Sequence, residues 1–247
     1  MVSFRRIAFL LALTAPALIA AQAQSSSSTS DATATAQAQD QAPTPQQMSV
    51  QARIKARREK RRADAIHEAY GHLYEAYAGI GYLRFTPGAA LQRNNEYAWD
   101  LGFTRYRSER LGITVDGRGT YGPAWVGVQP GQDGVFNPKI SQYALMAGPT
   151  YRFYLQPKYA ISGRVLGGFA YGNFSGDTSG LVSVSNNLGL YPDGTTYALN
   201  AAVIGEYNLT PELSFRLAPE YLATGFGSSI QNNLGFTLGV NYRFGKQ

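Results

Sequence analysis

From residue 77 to residue 244 the side chains change character at every second position, and nothing else in the 247-residue chain limits its fold as tightly. Successive side chains of a strand point to opposite sides of a sheet, so a period of two marks strands with one apolar and one polar face. Over 97–106, Tyr97, Trp99, Leu101 and Phe103 share one face, with Ala98, Asp100, Gly102 and Thr104 on the other. Residues 233–244 set Leu234, Phe236, Leu238, Val240, Tyr242 and Phe244 against Gly235, Thr237, Gly239, Asn241 and Arg243. The same pattern gives strands at 111–121, 140–154, 158–173, 195–208 and from 213 to 221. A first strand at 77–85 alternates less cleanly, and Arg84 there assigns Ile80 and Tyr82 to the polar side. Pro149 and Pro219 cannot donate to a ladder and are expected to mark bulges. All eight strands are of roughly the length that crosses a bilayer at a tilt, about nine residues or more.

The connections carry independent information. Those at 107–110, 155–158 and 209–212 are tight, whereas those at 86–95, 122–139, 174–194 and 223–232 are long. Short and long alternate strictly along the chain. That is the asymmetry of an outer-membrane barrel with short periplasmic turns and longer surface loops, and it places both termini in the periplasm.

A soluble eight-stranded barrel also alternates, but with its apolar face turned inward around a ligand. Charge decides between the two. Only 15% of the residues are charged, against about 25% in an ordinary soluble domain. The barrel-region lysines Lys139, Lys158 and Lys246 all fall in loops, turns or the tail. Most strand charges instead share the face of small residues: Arg84, Asp100, Asp116, Arg118, Arg152, Arg164, Glu206, Arg216, Glu220 and Arg243. Arg105, at a strand end, is the exception. Gly, Ala, Ser and Thr fit a narrow lumen, and arginines and carboxylates mixed in one lumen must pair where water is scarce. The expected interior is a salt-bridged polar plug. Tyr97, Trp99, Tyr143, Tyr159, Tyr171, Tyr197, Tyr207 and Tyr242 near strand ends suit membrane-interface girdles. The fold expected is therefore all-β, an eight-stranded antiparallel up-and-down transmembrane β-barrel over residues 77–247.

Three segments precede it. Residues 1–23 read as a secretory signal: Arg5 and Arg6, an apolar stretch from Ile7, then Ala21-Gln22-Ala23 as the cleavage pattern. Residues 24–48 hold Ser, Thr, Ala, Gln and Pro with almost no large apolar residue, the composition of a disordered linker. Residues 49–76 are rich in helix formers, with Arg53, Lys55, Arg57, Arg58, Lys60, Arg61 and Arg62 in the first half. In the second half Ile66, Tyr70, Leu73, Tyr74 and Tyr77 recur at helical spacing. This basic helix is expected to be solvated, or to touch anionic lipid or cell wall; nucleic acid is not expected as the partner of an exported chain. His67 and His72 are five residues apart, one too many for two zinc ligands on one helical face, so no metal site is expected.

Residues 77–244 resemble the small OmpA/OmpX-like outer-membrane β-barrel proteins. The most specific element is the terminal Thr237-Leu238-Gly239-Val240-Asn241-Tyr242-Arg243-Phe244, similar to the family's closing pattern of polar, Gly and two aromatic positions. The resemblance implies that Thr237, Gly239, Tyr242 and Phe244 belong to a signal read by the barrel-assembly machinery. Gly245, Lys246 and Gln247 follow the last aromatic, where members of the family often end. No peptidoglycan-binding domain of the OmpA kind is expected after the barrel.

The function expected is an integral outer-membrane barrel with a plugged lumen, whose surface loops meet other molecules or serve the envelope structure. A small channel is the alternative; a soluble lipocalin-like barrel or a barrel enzyme is less favoured. Barrel enzymes acting on lipid or protein resemble one another in using a histidine, and both histidines here precede the barrel, leaving Ser-His chemistry no base. No cysteine exists to serve as nucleophile or metal ligand, and no cofactor is expected. In the loop 122–139, Trp125, Val126, Val128 and Phe136 form an apolar set that either packs within the loop or offers a contact surface.

Overall fold

A computed structural model describes residues 49–127, 137–176, 178 and 188–246. The expected signal 1–23 and linker 24–48 lie outside the described residues, as do Val128 and Phe136. The elements are a helix, α1 (Val50–Tyr70), and strands β1 (His72–Phe85), β2 (Asn94–Tyr106), β3 (Leu111–Pro123), β4 (Lys139–Leu155), β5 (Tyr159–Asn173), β6 (Gly194–Asn208), β7 (Leu213–Thr224) and β8 (Gln231–Lys246). Every strand pairs antiparallel with its neighbours in sequence, and β1 closes on β8. The sheet is an eight-stranded up-and-down barrel with no edge left unpaired.

α1 starts where Ser49 caps it, its hydroxyl accepting the Ala52 N–H at 3.2 Å. It stops at Gly71, whose N–H donates to the His67 carbonyl at 2.7 Å. A Cβ on residue 71 would lie 2.6 Å from that same oxygen, so only glycine closes the turn this tightly. The helix therefore ends at Tyr70 rather than running to residue 76, and β1 starts at His72 rather than 77, so Leu73 and Tyr74 join Tyr77 in the strand and His72 stands in the barrel wall instead of before it. Spacings of three and four residues fit a helix, but from Leu73 onward a period of two fits the same residues, and Gly71 is the stop signal that separates them.

The prolines do not bulge the sheet. The register between β4 and β5 is the same on both sides of Pro149, and β6 and β7 keep theirs across Pro219. Each proline leaves a gap in pairing toward one neighbour only, while the opposite ladder runs through it. The irregularity instead falls between Arg152 and Tyr154. One extra residue there turns both Phe153 and Tyr154 outward.

The wall has the polarity of a soluble protein reversed. Ile80, Leu101, Val115, Leu145, Val165, Leu199, Leu217 and Leu238, one from each strand in order, are exposed on the outside. A tyrosine of each strand from β1 to β7 lies outward toward the long-loop end: Tyr82, Tyr97, Tyr121, Tyr143, Tyr171, Tyr197 and Tyr221. Tyr97 is 80% exposed. Their hydroxyls find partners along the wall. Tyr121 donates to Tyr143 at 2.9 Å, and Tyr82 and Tyr221 donate to Asn95 and Asn232.

Candidate functional site

Among the described residues, the strands gather ionisable side chains in the lumen, which is filled in three layers. Nearest the short turns, Glu75 receives Arg152 at 2.5 Å and Arg243 at 3.1 Å, and Arg243 also reaches Glu206 at 2.5 Å. Arg243 further donates to Asn208 at 2.9 Å and to Ser214 at 3.2 Å. Two strands separate Arg152 from Glu75, so this layer ties β4 to β1, β6, β7 and β8.

The end of α1 closes this layer from below. Tyr70 is fully buried, with the guanidinium of Arg243 4.7 Å and that of Arg152 5.1 Å from its ring centre. Asn208 donates to its hydroxyl at 2.8 Å. Burial pushes the Tyr70 phenol above its ordinary range, so it remains a neutral ring on the guanidiniums. Ala69 and Ile66 pack with Leu155 and Ala160, and His67 Nδ1 lies 2.6 Å from Glu109 in the β2–β3 turn.

In the middle layer two arginines and two carboxylates form a closed square. Arg118 meets Asp116 at 2.8 Å and Glu220 at 2.7 Å; Arg164 meets the same two at 3.1 and 3.3 Å. Tyr77 donates to Asp116 at 2.6 Å and accepts from Arg164 at 2.6 Å. Its ring sits against Gly102, where a Cβ would come 2.1 Å from it. The guanidinium of Arg216 lies over that ring, 3.7 Å from its centre, with Asp100 3.9 Å away. The buried hydroxyls of Thr104, Thr114 and Thr150 join in a row across β2, β3 and β4, with contacts of 2.8 and 2.6 Å.

The third layer, under the long loops, is apolar. Leu83, Phe85, Ile140, Met146, Leu166 and Leu222 point inward from the strands. Ala124, Val126, Phe174, Leu188, Leu190, Tyr191 and Phe226 fold down from the loops to meet them. Phe174 stacks near-perpendicular on Phe226 with centroids 5.2 Å apart. Asp193 pins this lid by accepting the N–H groups of Phe174 and Ser175 at 2.6 and 3.0 Å. Val126 is thus buried within the lid, while Trp125 beside it remains 55% exposed. Glu96 sits at the lid's lower border, bonded by Gln142 at 3.0 and 3.1 Å and by no arginine among the described residues.

Nine residues assigned to the lumen from sequence lie there: Asp100, Asp116, Arg118, Arg152, Arg164, Glu206, Arg216, Glu220 and Arg243 are all buried. Arg84 does not; it is exposed on the outer wall. Its assignment assumed a lumen polar along its whole length. At the long-loop end the interior is apolar, so Leu83 and Phe85 face inward and Arg84 outward, carrying Ile80 and Tyr82 with it. Glu75 and Glu96 are lumen carboxylates that the sequence reading missed, one given to the helix and one left at a loop border. Glu75 shares parity with Tyr77, Gly79 and Gly81, so extending β1 backward past residue 77 would have found it. In β8, Thr237 and Gly239 point inward and Tyr242 and Phe244 outward, with Phe244 5.6 Å from Tyr74 across the closing seam. Gly239 pairs with Gly79 there, and a Cβ on it would stand 2.1 Å from the Ala78 carbonyl.

Chemically the lumen holds charges in place. Every arginine in it has a carboxylate within 4 Å. Among the described residues no three His, Asp or Glu side chains gather in a metal-binding group.

No family model matches the chain, and no curated protein matches it. Solved structures do. The attachment invasion locus protein Ail of Yersinia pestis, in complex with the heparin analogue sucrose octasulfate, is 16% identical with a TM-score of 0.45, covering 69% of this chain and 97% of its own. Neisserial surface protein A is 14% identical with a TM-score of 0.48, covering 69% and 97%. The outer membrane protein OprG of Pseudomonas aeruginosa is 12% identical with a TM-score of 0.48, covering 72% and 99%.

Proposed function

We propose that the chain is an integral outer-membrane barrel, exported by its N-terminal signal, that holds its long loops at the cell surface on a sealed, non-conducting support. One observation carries this reading: large apolar side chains are exposed on all eight strands, while five arginines of the wall are buried inside with carboxylates as partners. Lipid is the solvent that fits such an exterior. The turns at the α1 end are short and the loops at the other end long, which supports periplasmic termini. The three filled layers support a plug rather than a pore. The long loops then carry contact with other molecules, and the terminal strand, with Thr237, Gly239, Tyr242 and Phe244, is the segment offered to the barrel-assembly machinery. Nothing in this reading calls for catalysis.

Fractionation of cells expressing the full chain tests it. The protein should band with outer membranes, change gel mobility on heating, and be cut by external protease only in the long loops. Recovery of folded protein in the soluble fraction sinks the reading. In planar bilayers it should give no steady current; a persistent open conductance overturns the sealed lumen alone.

A further inference from the structure

At the short-turn end of the outer wall, β1 to β3 leave a groove of about 570 Å³ lined by Leu73, Arg105, Arg107, Leu111 and Ile113. The register builds it. Arg105 lies opposite Tyr74 on one side and opposite Ile113 on the other. Arg107 opens the β2–β3 turn, its N–H held by the Leu111 carbonyl at 2.8 Å. Leu111 and Ile113, 45% and 66% exposed, make an apolar bank that runs up from these two guanidiniums into the belt.

The arginines of this groove differ from those of the lumen. Every lumen arginine has a carboxylate within 4 Å, whereas no ion pair is formed by Arg105 or Arg107 among the described residues. The acidic side chain of their own turn, Glu109, is engaged by His67 at 2.6 Å. Two guanidiniums at the end of an apolar groove match an anion joined to a hydrocarbon chain. Guanidinium forks bind phosphate oxygens through paired, charge-assisted hydrogen bonds, which strengthen as water thins out toward the hydrocarbon.

We propose that this groove binds an anionic glycerophospholipid of the leaflet at the short-turn end. Its phosphate rests on Arg105 and Arg107, and an acyl chain lies along Leu111 and Ile113. The site rests on the membrane-spanning reading given above. α1, anchored to the same turn through His67, adds seven cations over Arg53 to Arg62. That segment is exposed all round and has no apolar bank, so it attracts anionic headgroups without holding a chain.

The test uses the full chain refolded in neutral detergent and moved to phosphatidylcholine nanodiscs with or without phosphatidylglycerol, with retained lipid counted by native mass spectrometry. The wild type should retain phosphatidylglycerol over phosphatidylcholine, and Arg105→Gln with Arg107→Gln should lower that preference about tenfold. Neutralising Arg53, Arg57 and Arg61 to Gln should leave it within about twofold. Equal retention of the two lipids by the wild type overturns the proposal. So does a double variant with unchanged preference, or loss of preference in the helix variant. Glycerol 3-phosphate competing as well as the lipid would show an anion site without a lipid one, and equally overturns it. Heat-shifted gel mobility verifies that each variant is folded; should the double variant not fold, Arg107→Gln alone, in the turn, is read for a smaller loss in the same direction. A barrel found in the soluble fraction would refute the membrane reading, whereas failure of the lipid site is seen with the barrel folded in its membrane.

Discussion

At the residue scale, the deciding quantity is whether a charge keeps its partner. Asp116 is shared by Arg118 and Arg164, and both are buried. Taking away one member of such a group leaves charge stranded in low dielectric, at about 3–5 kcal/mol. Asp116→Ala should therefore lower unfolding stability in lipid vesicles by that order, read from urea titrations of Trp99 and Trp125 fluorescence. Arg84→Gln should change it by no more than about 0.5 kcal/mol, because Arg84 is exposed and makes no ion pair among the described residues. The contrast checks the relocation of Arg84 directly: a large loss at residue 84 would return it to the lumen. Alternation revealed the nine buried charges because lipid outside and a narrow polar interior demand opposite side chains at each second residue. It misled where both sides are apolar, as for Leu83 and Phe85 in β1, since nothing in the pattern then tells inward from outward.

At the element scale, the joint between α1 and β1 sets the behaviour of the short-turn end. Tyr70 fills the mouth, and the close turn at Gly71 sends the chain straight into β1. Tyr70→Ala removes a buried aromatic ring and should cost on the order of 3 kcal/mol. It should also admit water to the first layer, seen as faster amide exchange in the strand residues around Glu75 and Arg243. Exchange unchanged in those residues would deny the stopper role. Gly71→Ala should act in the same direction, since its Cβ collides with the His67 carbonyl and pushes the ring off its seat. The composition of 49–76 announced a helix, but the boundary was hidden: the tyrosines and leucine around it satisfy both periods, and only Gly71 distinguishes them. The loops were less legible still. Ala124, Val126, Leu188 and Leu190 become a lid only because the barrel end supplies an apolar floor, which no local pattern states.

For the whole molecule, interior pairs and surface cations should respond differently to salt. The Debye length shrinks to about 3 Å at 1 M salt, which screens exposed charges and leaves enclosed pairs nearly untouched. Raising salt from about 0.1 to 1 M should shift the urea midpoint of the barrel little, while releasing anionic vesicles attracted to α1. A large drop in barrel stability with salt would mean that the lumen pairs are wetted. The eight-stranded closure itself was legible from sequence, because strand lengths, the alternation of short and long connections and the placement of lysines all pointed to one architecture. Local exceptions such as the extra residue near Phe153 were not, since a bulge changes the register without changing the composition.

The seat of Tyr70 draws on Arg152 of β4, Asn208 of β6 and Arg243 of β8. The seat comes into being only when β8, the last strand made, has joined a sheet that already holds β4 and β6. Although α1 is made before any strand, it can dock only after the last of them is in place, so a buried Tyr70 is a certificate that the C-terminal strand has been added.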